Sequence, residues 1–375
     1  MQPVMFRSII VISTLALALL LGCQNQGNVA VANDYVSVSG LLTSQDTLVK
    51  YEDLGLKKLS DYGFFKQPIS QLIPASEQVV PYTLNSPLFT DYATKSRFIS
   101  FPEGSTAAYV SDEKVLDFPE GTVIIKNFYY TNADLKNNDT DVILETRLLL
   151  KKDGEWIALP YVWNEEQTEA YLYILGKDID LVLEANDERV EPLNFSYSVP
   201  NINMCKNCHV KNQKLVPLGP TPRQLNRENQ FISVSQNQLA FLSDNHFLVD
   251  LPPLSVVAKL PDYKDESEPL DGRARAYLDV NCAHCHQDGG SAKTSGLHLA
   301  YEESDLYRLG VNKPPVAAGK GSGYLAFDIV SGKPEASILL YRMKHLEPDI
   351  VMPEIGKNLV DTEGVALIES WIKSL

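Results

Sequence analysis

VILETRLLL at residues 142–150 and WIALPYVW at residues 156–163 stand on either side of Asp153-Gly154, and this stretch decides the fold of the first half of the chain. Two runs of aliphatic, β-branched and aromatic residues meeting at Asp-Gly predict a β-hairpin. A tight type I′ turn needs positive φ at both central positions, which Asp and Gly tolerate. Upstream, TVIIKNFYY at residues 122–130 reads as another strand, and Phe-Pro-Glu-Gly occurs at 101–104 and again at 118–121, each time at a strand boundary, as a repeated turn. From about residue 80 to 199 the pattern is one of short β-rich runs, which predicts a mainly antiparallel, sandwich-like β domain. Tyr161, Trp163 and Tyr171 lie in these strands. Aromatic residues there either fill the core or line a ligand cleft.

The whole chain has 375 residues, 44% hydrophobic and 22% charged. That length calls for more than one domain, and the composition argues against wholesale disorder and against a multi-span membrane protein. The net charge is −15, from 33 basic and 48 acidic side chains, with the excess concentrated in residues 1–200, where 15 basic groups face 27 acidic ones. Such a surface repels phosphate backbones, so nucleic acid is excluded as a partner.

The amino terminus predicts export. Arg7 is followed by 13 uncharged, largely apolar residues from Ile9 to Leu21, then Gly22 and Cys23. A run shorter than the ~20 residues needed to span a bilayer reads as the apolar segment of a signal peptide, residues 1–22. Leu20-Leu21-Gly22-Cys23 resembles the lipobox of bacterial lipoproteins. This implies lipidation of Cys23, and Gln24 after it resembles the outer-membrane sorting pattern. Residues 23–45 are then the lipidated cysteine and its tether, and the expected location is the cell envelope, lipid-anchored to the outer membrane and facing the periplasm.

With Cys23 set aside, four cysteines remain, in two copies of one pattern: Cys205-Lys206-Asn207-Cys208-His209 and Cys282-Ala283-His284-Cys285-His286. The spacing C-x-x-C-H fits covalent haem c, each cysteine forming a thioether to one vinyl group and the histidine lying beneath the iron. The expectation is two haem groups, with His209 and His286 as proximal iron ligands. A four-cysteine zinc site would require the pairs to converge across the 73 residues between Cys208 and Cys282, and would leave the histidines without a role. Paired disulfides or a thioredoxin-like redox site would require a βαβ context that Pro200 and the Gly- and Pro-rich flanks do not supply.

The second pentapeptide sits in helix-forming sequence. Asp271 reads as an N-cap, RARAYL at 273–278 runs toward Cys282, and Asp361 reads as the cap of a last helix with Val365, Ile368, Ile372 and Leu375 at helical period. Between them Met352-Pro353 places a thioether where it could serve as the second axial ligand, with Met343 as the alternative. Residues 195–204 contain Pro200 and β-leaning residues, so no helix leads into Cys205, and residues 228–243 read as a helix. For the first iron His246 is the nearest sixth ligand. His298, Met343 or His345 reaching across, or an open position, are the alternatives.

These readings divide the chain into residues 46–200 as the β domain, 201–262 as a first haem segment and 263–375 as a second haem domain. The fold class expected is α+β, with the β domain followed by a mainly α-helical, cytochrome c-like region. LETRLL (144–149), YVWNEEQTEA (161–170), LGPTPRQLN (218–226), RARAYLDVNCAHCH (273–286) and MPEIG (352–356) resemble a family of dihaem c-type cytochrome lipoproteins of proteobacteria. The resemblance runs from about residue 87 to the end. From Cys205 onward the chain is also similar to cytochrome-like tails of quinoprotein sugar dehydrogenases. This implies that the haems accept electrons from a dehydrogenase and pass them to a further redox partner, with no catalytic residues in the chain itself. The alternative is a peroxidase-like oxidoreductase with an open iron at the first haem. A third is a β domain that binds a polysaccharide or membrane partner and is merely served by the haems.

Overall fold

The computed structural model describes residues 35–37, 48–50, 54–135, 140–185, 191–231, 234–316 and 319–375. Cys23 and its flanks lie outside the described residues. Among the described residues no helix is long and apolar enough to cross a membrane.

Six antiparallel strands form one meandering sheet in chain order: Val79–Pro81 (β1), Thr94–Ser100 (β2), Val123–Tyr130 (β3), Val142–Lys152 (β4), Glu155–Trp163 (β5) and Ala170–Leu172 (β6). The β4–β5 hairpin closes at Asp153-Gly154, with Lys152 opposite Glu155 and φ of 54° and 75° at the two turn residues. Next along the chain is a separate two-stranded ribbon, Lys177–Leu183 (β7) with Leu193–Val199 (β8).

Side chains alternate across the sheet, so its two faces have different tasks. One face carries Phe98, Ile125, Leu148, Leu159 and Tyr161 and is covered by Leu54, Leu59, Phe64, Phe65 and Ile69. A polar chain runs across the same face: Trp163 Nε1 donates to Thr146 Oγ1 (2.9 Å), Thr146 to Asn127 Oδ1 (2.6 Å) and Asn127 Nδ2 to Ser96 Oγ (3.2 Å). Tyr161 and Trp163 are therefore core, while Tyr171 is exposed.

The opposite face is divided. At one end Ile99, Ile124, Leu149 and Ala158 pack under Leu225, Leu239, Leu242 and Leu248. At the other, Phe128 and Val162 pack under Leu183, Tyr197 and Val199 of the ribbon. Between these apolar ends runs a row in direct cross-strand register: Arg97 opposite Lys126, Lys126 opposite Arg147, Arg147 opposite Pro160.

After β8 come the short helices Cys205–His209 (α1), Pro222–Leu225 (α2), Gln238–Asp244 (α3), Leu270–Leu278 (α4) and Ile338–Met343 (α5), then Thr362–Ser374 (α6). The expected mainly α-helical, cytochrome c-like region is not found. Among the described residues the chain is mostly β, its longest α-helix has 13 residues, and turns dominate after β8. The helix-forming sequence of α4 and α6 does not extend to the region as a whole. Between residues 287 and 337 lie eight glycines and three prolines, which break helices and satisfy the backbone in turns instead. The β half is one six-stranded sheet, one face covered by the segment 54–69 and the other shared between helical segments and the two-stranded β7–β8 ribbon.

Smaller differences have local causes. Asp361 caps α6 as expected, accepting from Gly364 N at 2.9 Å. Asp271 does not cap α4, because it lies in the first turn and accepts from the buried indole of Trp371 at 2.7 Å. The helix expected over 228–243 begins only at Gln238, capped by Asn237. Glu228–Gln230 and Ser235–Asn237 pair as strands instead.

The carboxyl-terminal part is fastened to the sheet by buried polar contacts. Asp91 Oδ1 accepts from Asn358 N and Leu359 N, both at 2.8 Å, and burial pushes its carboxyl up to about 6. Phe89 N donates to Asn281 Oδ1 (2.8 Å), Arg223 pairs with Asp279 (2.9 Å) and Tyr277 OH donates to Asp361 Oδ2 (3.0 Å).

Candidate functional site

Beside these contacts lies a cavity of about 630 Å³, within the range of small-molecule and cofactor sites. Both pentapeptides open onto it. Cys205, Cys208 and His209 come from α1, entered directly from strand β8 through a turn. Cys282, Cys285 and His286 come from the end of α4. There the helix widens into a π-turn over Asp279–Ala283, which frees Asp279 to receive Arg223 and Asn281 to receive Phe89 N.

The two histidines are held alike. The imidazole Nδ1 of His209 donates to the Val216 carbonyl oxygen at 2.8 Å. Nδ1 of His286 lies 2.9 Å from Ser295 Oγ, whose own proton goes to Ala292 O, so the serine accepts. With Nδ1 carrying the hydrogen in each ring, Nε2 keeps its lone pair, the tautomer needed for a metal ligand. Burial lowers both histidines, to about 3 for His209 and about 4 for His286, so both are neutral. Burial pushes the Cys205 thiol up and that of Cys282 up to about 12.

The motifs meet. The ligand atoms of Cys208, His284 and Cys285 all lie within 4.8 Å of one another, so the two cysteine pairs do converge, against the argument from sequence separation. Cys285 Sγ and Ser291 Oγ both donate to Asn207 O, at 3.1 and 2.6 Å. The hydrogen bond between Cys208 and Cys285 holds Cys285 below the ordinary thiol range and pushes Cys208 above it. Cys205 and Cys282 stand outside this three-residue group, so the four sulfurs do not form one tetrahedral set. All four cysteines are free thiols.

Both methionine candidates line the cavity, and Lys357 Nζ ties their backbones by donating to Met343 O (2.5 Å) and Met352 O (3.0 Å). His246 is not brought to the site. It is exposed at φ 62°, with its carbonyl accepting from Thr106 Oγ1. His298 faces Arg308 and Asp288, and His345 Nδ1 donates to Tyr341 O at 2.6 Å; neither lines the cavity.

Several lining residues were not singled out from the sequence: Met204, His284, Tyr277, Lys126 and Arg147. For the last two a signal exists. Lys126 shares a strand face with Ile124 and Phe128 and so puts a cation on an otherwise apolar face, while Arg147 shares its face with Leu149 and with its ion-pair partner Glu145.

The site thus offers free thiols at C-x-x-C spacing, neutral histidines with Nε2 unprotonated, and a common cavity. No family model, no curated protein and no solved structure matches this chain.

Proposed function

We propose that this chain is a dihaem c-type electron-transfer protein, in which each C-x-x-C-H pentapeptide anchors one haem. The observation that carries the reading is that both pentapeptides open onto one cavity with each histidine Nδ1 already committed to a fixed acceptor. A covalently held haem supplies reversible one-electron chemistry at its iron. The thiols of Cys205, Cys208, Cys282 and Cys285 hold the groups in place, and His209 and His286 present Nε2. Met352 or Met343, both of which line the cavity, offers a thioether. Contact between Cys208 and Cys285 keeps the two attachment points adjacent, the arrangement that favours transfer from one haem to the other. Partners are a donor dehydrogenase and an acceptor in the cell envelope, reached through a lipid at Cys23.

The test is the mass of the denatured protein made in a host that matures c-type cytochromes. Two porphyrins are expected, and a polypeptide carrying none removes the reading. A second reading, a peroxidase-like enzyme, is favoured by the surface position of His246, which takes away a sixth ligand for the first iron. Carbon monoxide binding to the reduced protein separates them: the carrier leaves its spectrum largely unchanged, whereas an open iron shifts it.

A further inference from the structure

His284 occupies a variable position of the second pentapeptide, where the dihaem reading gives it no task, yet it is buried at the contact between the two motifs. Its imidazole and the sulfurs of Cys208 and Cys285 lie within 4.8 Å of one another, and among the described residues they are the one such group of three His, Cys, Asp or Glu side chains. All three line the cavity. The surrounding chain holds them together from both sides. Asn207 O accepts from Cys285 Sγ and also from Ser291 Oγ, so the carbonyl keeps a donor when the thiol gives up its proton. Asn212 N donates to Gly289 O at 2.9 Å, and at Gly289, with φ of 77°, the Asn212 side chain leaves no room for a Cβ. Thiolate sulfur and imidazole nitrogen are zinc ligands, whereas magnesium and calcium require oxygen. Two thiolates also cancel the double charge of zinc. The filled site therefore buries no net charge, which a partly buried position favours.

We propose that the chain, before any haem is attached, binds one zinc ion through Cys208, His284 and Cys285. Binding forms two zinc–sulfur bonds and one zinc–nitrogen bond, and the thiol protons go to solvent. Three protein ligands leave a fourth position for a molecule in the cavity, the pattern of zinc sites that act on a ligand and not of closed structural ones. The site needs only the thiols and the imidazole, so it stands without the dihaem reading. One consequence does rest on that reading: a thioether at Cys208 or Cys285 removes a thiolate, so zinc and haem exclude each other here.

The experiment uses the full chain made without cytochrome maturation, kept reduced, stripped of metal and titrated with zinc alone, with cobalt(II) as its spectroscopic substitute. One equivalent should bind, cobalt should give a thiolate charge-transfer band, and zinc should raise the denaturant midpoint, because the site exists only in the folded chain. His284→Ala should weaken zinc binding at least tenfold, and His284→Gln carries the same expectation should the alanine variant fold poorly. Both should still carry two porphyrins when made in a maturing host, since neither C-x-x-C-H pattern is touched. His298→Ala, at a residue that does not line the cavity, should bind zinc as the parent does, and a tenfold loss there would count against the assignment. No binding by the parent, or parental affinity in both His284 variants, would overturn the proposal. So would equal zinc uptake by a chain already carrying two porphyrins. Losses in Cys205→Ser and Cys282→Ser as large as in Cys208→Ser would assign the ion to a four-cysteine site instead. A chain that takes zinc through His284 but never carries porphyrin removes the dihaem reading and leaves this proposal standing.

Discussion

Asp91 illustrates how a single carboxylate joins the sheet to the carboxyl-terminal segment. Its Oδ1 receives two backbone N–H groups, yet burial outweighs them and raises the group from 3.8 to about 6. The folded protein therefore holds this proton more tightly than the unfolded chain. The stability contributed is fully present below pH 3.8 and is lost as pH rises through about 6, at most about 3 kcal/mol. Asp91→Asn keeps an oxygen for both N–H donors, and its stability should be flatter across that window in denaturant titrations. A slope identical to the parent would contradict the assignment. Met352 is the other residue to test singly. In the haem-loaded Met352→Ala variant the weak methionine-to-iron band should disappear and the second haem's potential fall. A surviving band assigns the ligand to Met343, which also lines the cavity, or to a residue elsewhere.

Among the elements, β3 and β4 carry the most consequence, because one face of each is apolar at both ends and cationic in the middle. The Glu145–Arg147 pair is the compensated part of that middle, Glu145 fully buried and Arg147 with 27% of its side chain exposed. Glu145→Gln leaves the guanidinium and the Tyr197 hydroxyl without their anion and should cost about 3 kcal/mol, read as a lower denaturant midpoint. A loss below the scatter of the measurement would mean that solvent in the cavity already screens the pair. The hairpin was legible from the sequence because strand period and turn chemistry both lie within some twenty consecutive residues. The helix content was not. Propensity located α4 and α6, but how far helix extends between them is set by glycines and prolines whose turns close only through distant contacts, such as Asp328 N to Lys313 O. The row Arg97–Lys126–Arg147 was equally hidden, since it exists only once three strands are in register.

For the whole molecule, the site is a product of assembly more than of any one region. The pentapeptides were readable as short motifs, but their meeting was not, because 73 intervening residues conceal it and the contacts that bring it about join segments far apart in sequence: Phe89 with Asn281, Ser86 with Tyr263, Arg223 with Asp279. His246 was chosen for nearness along the chain and proved remote in space for the same reason. On the proposed dihaem reading the cavity imposes an order on biogenesis: a rigid macrocycle has to be attached before the segments that line the cavity pack around it. A chain that packed without it would leave the thiols of Cys208 and Cys285 and the imidazole of His284 within 4.8 Å of one another, a donor set suited to a soft cation.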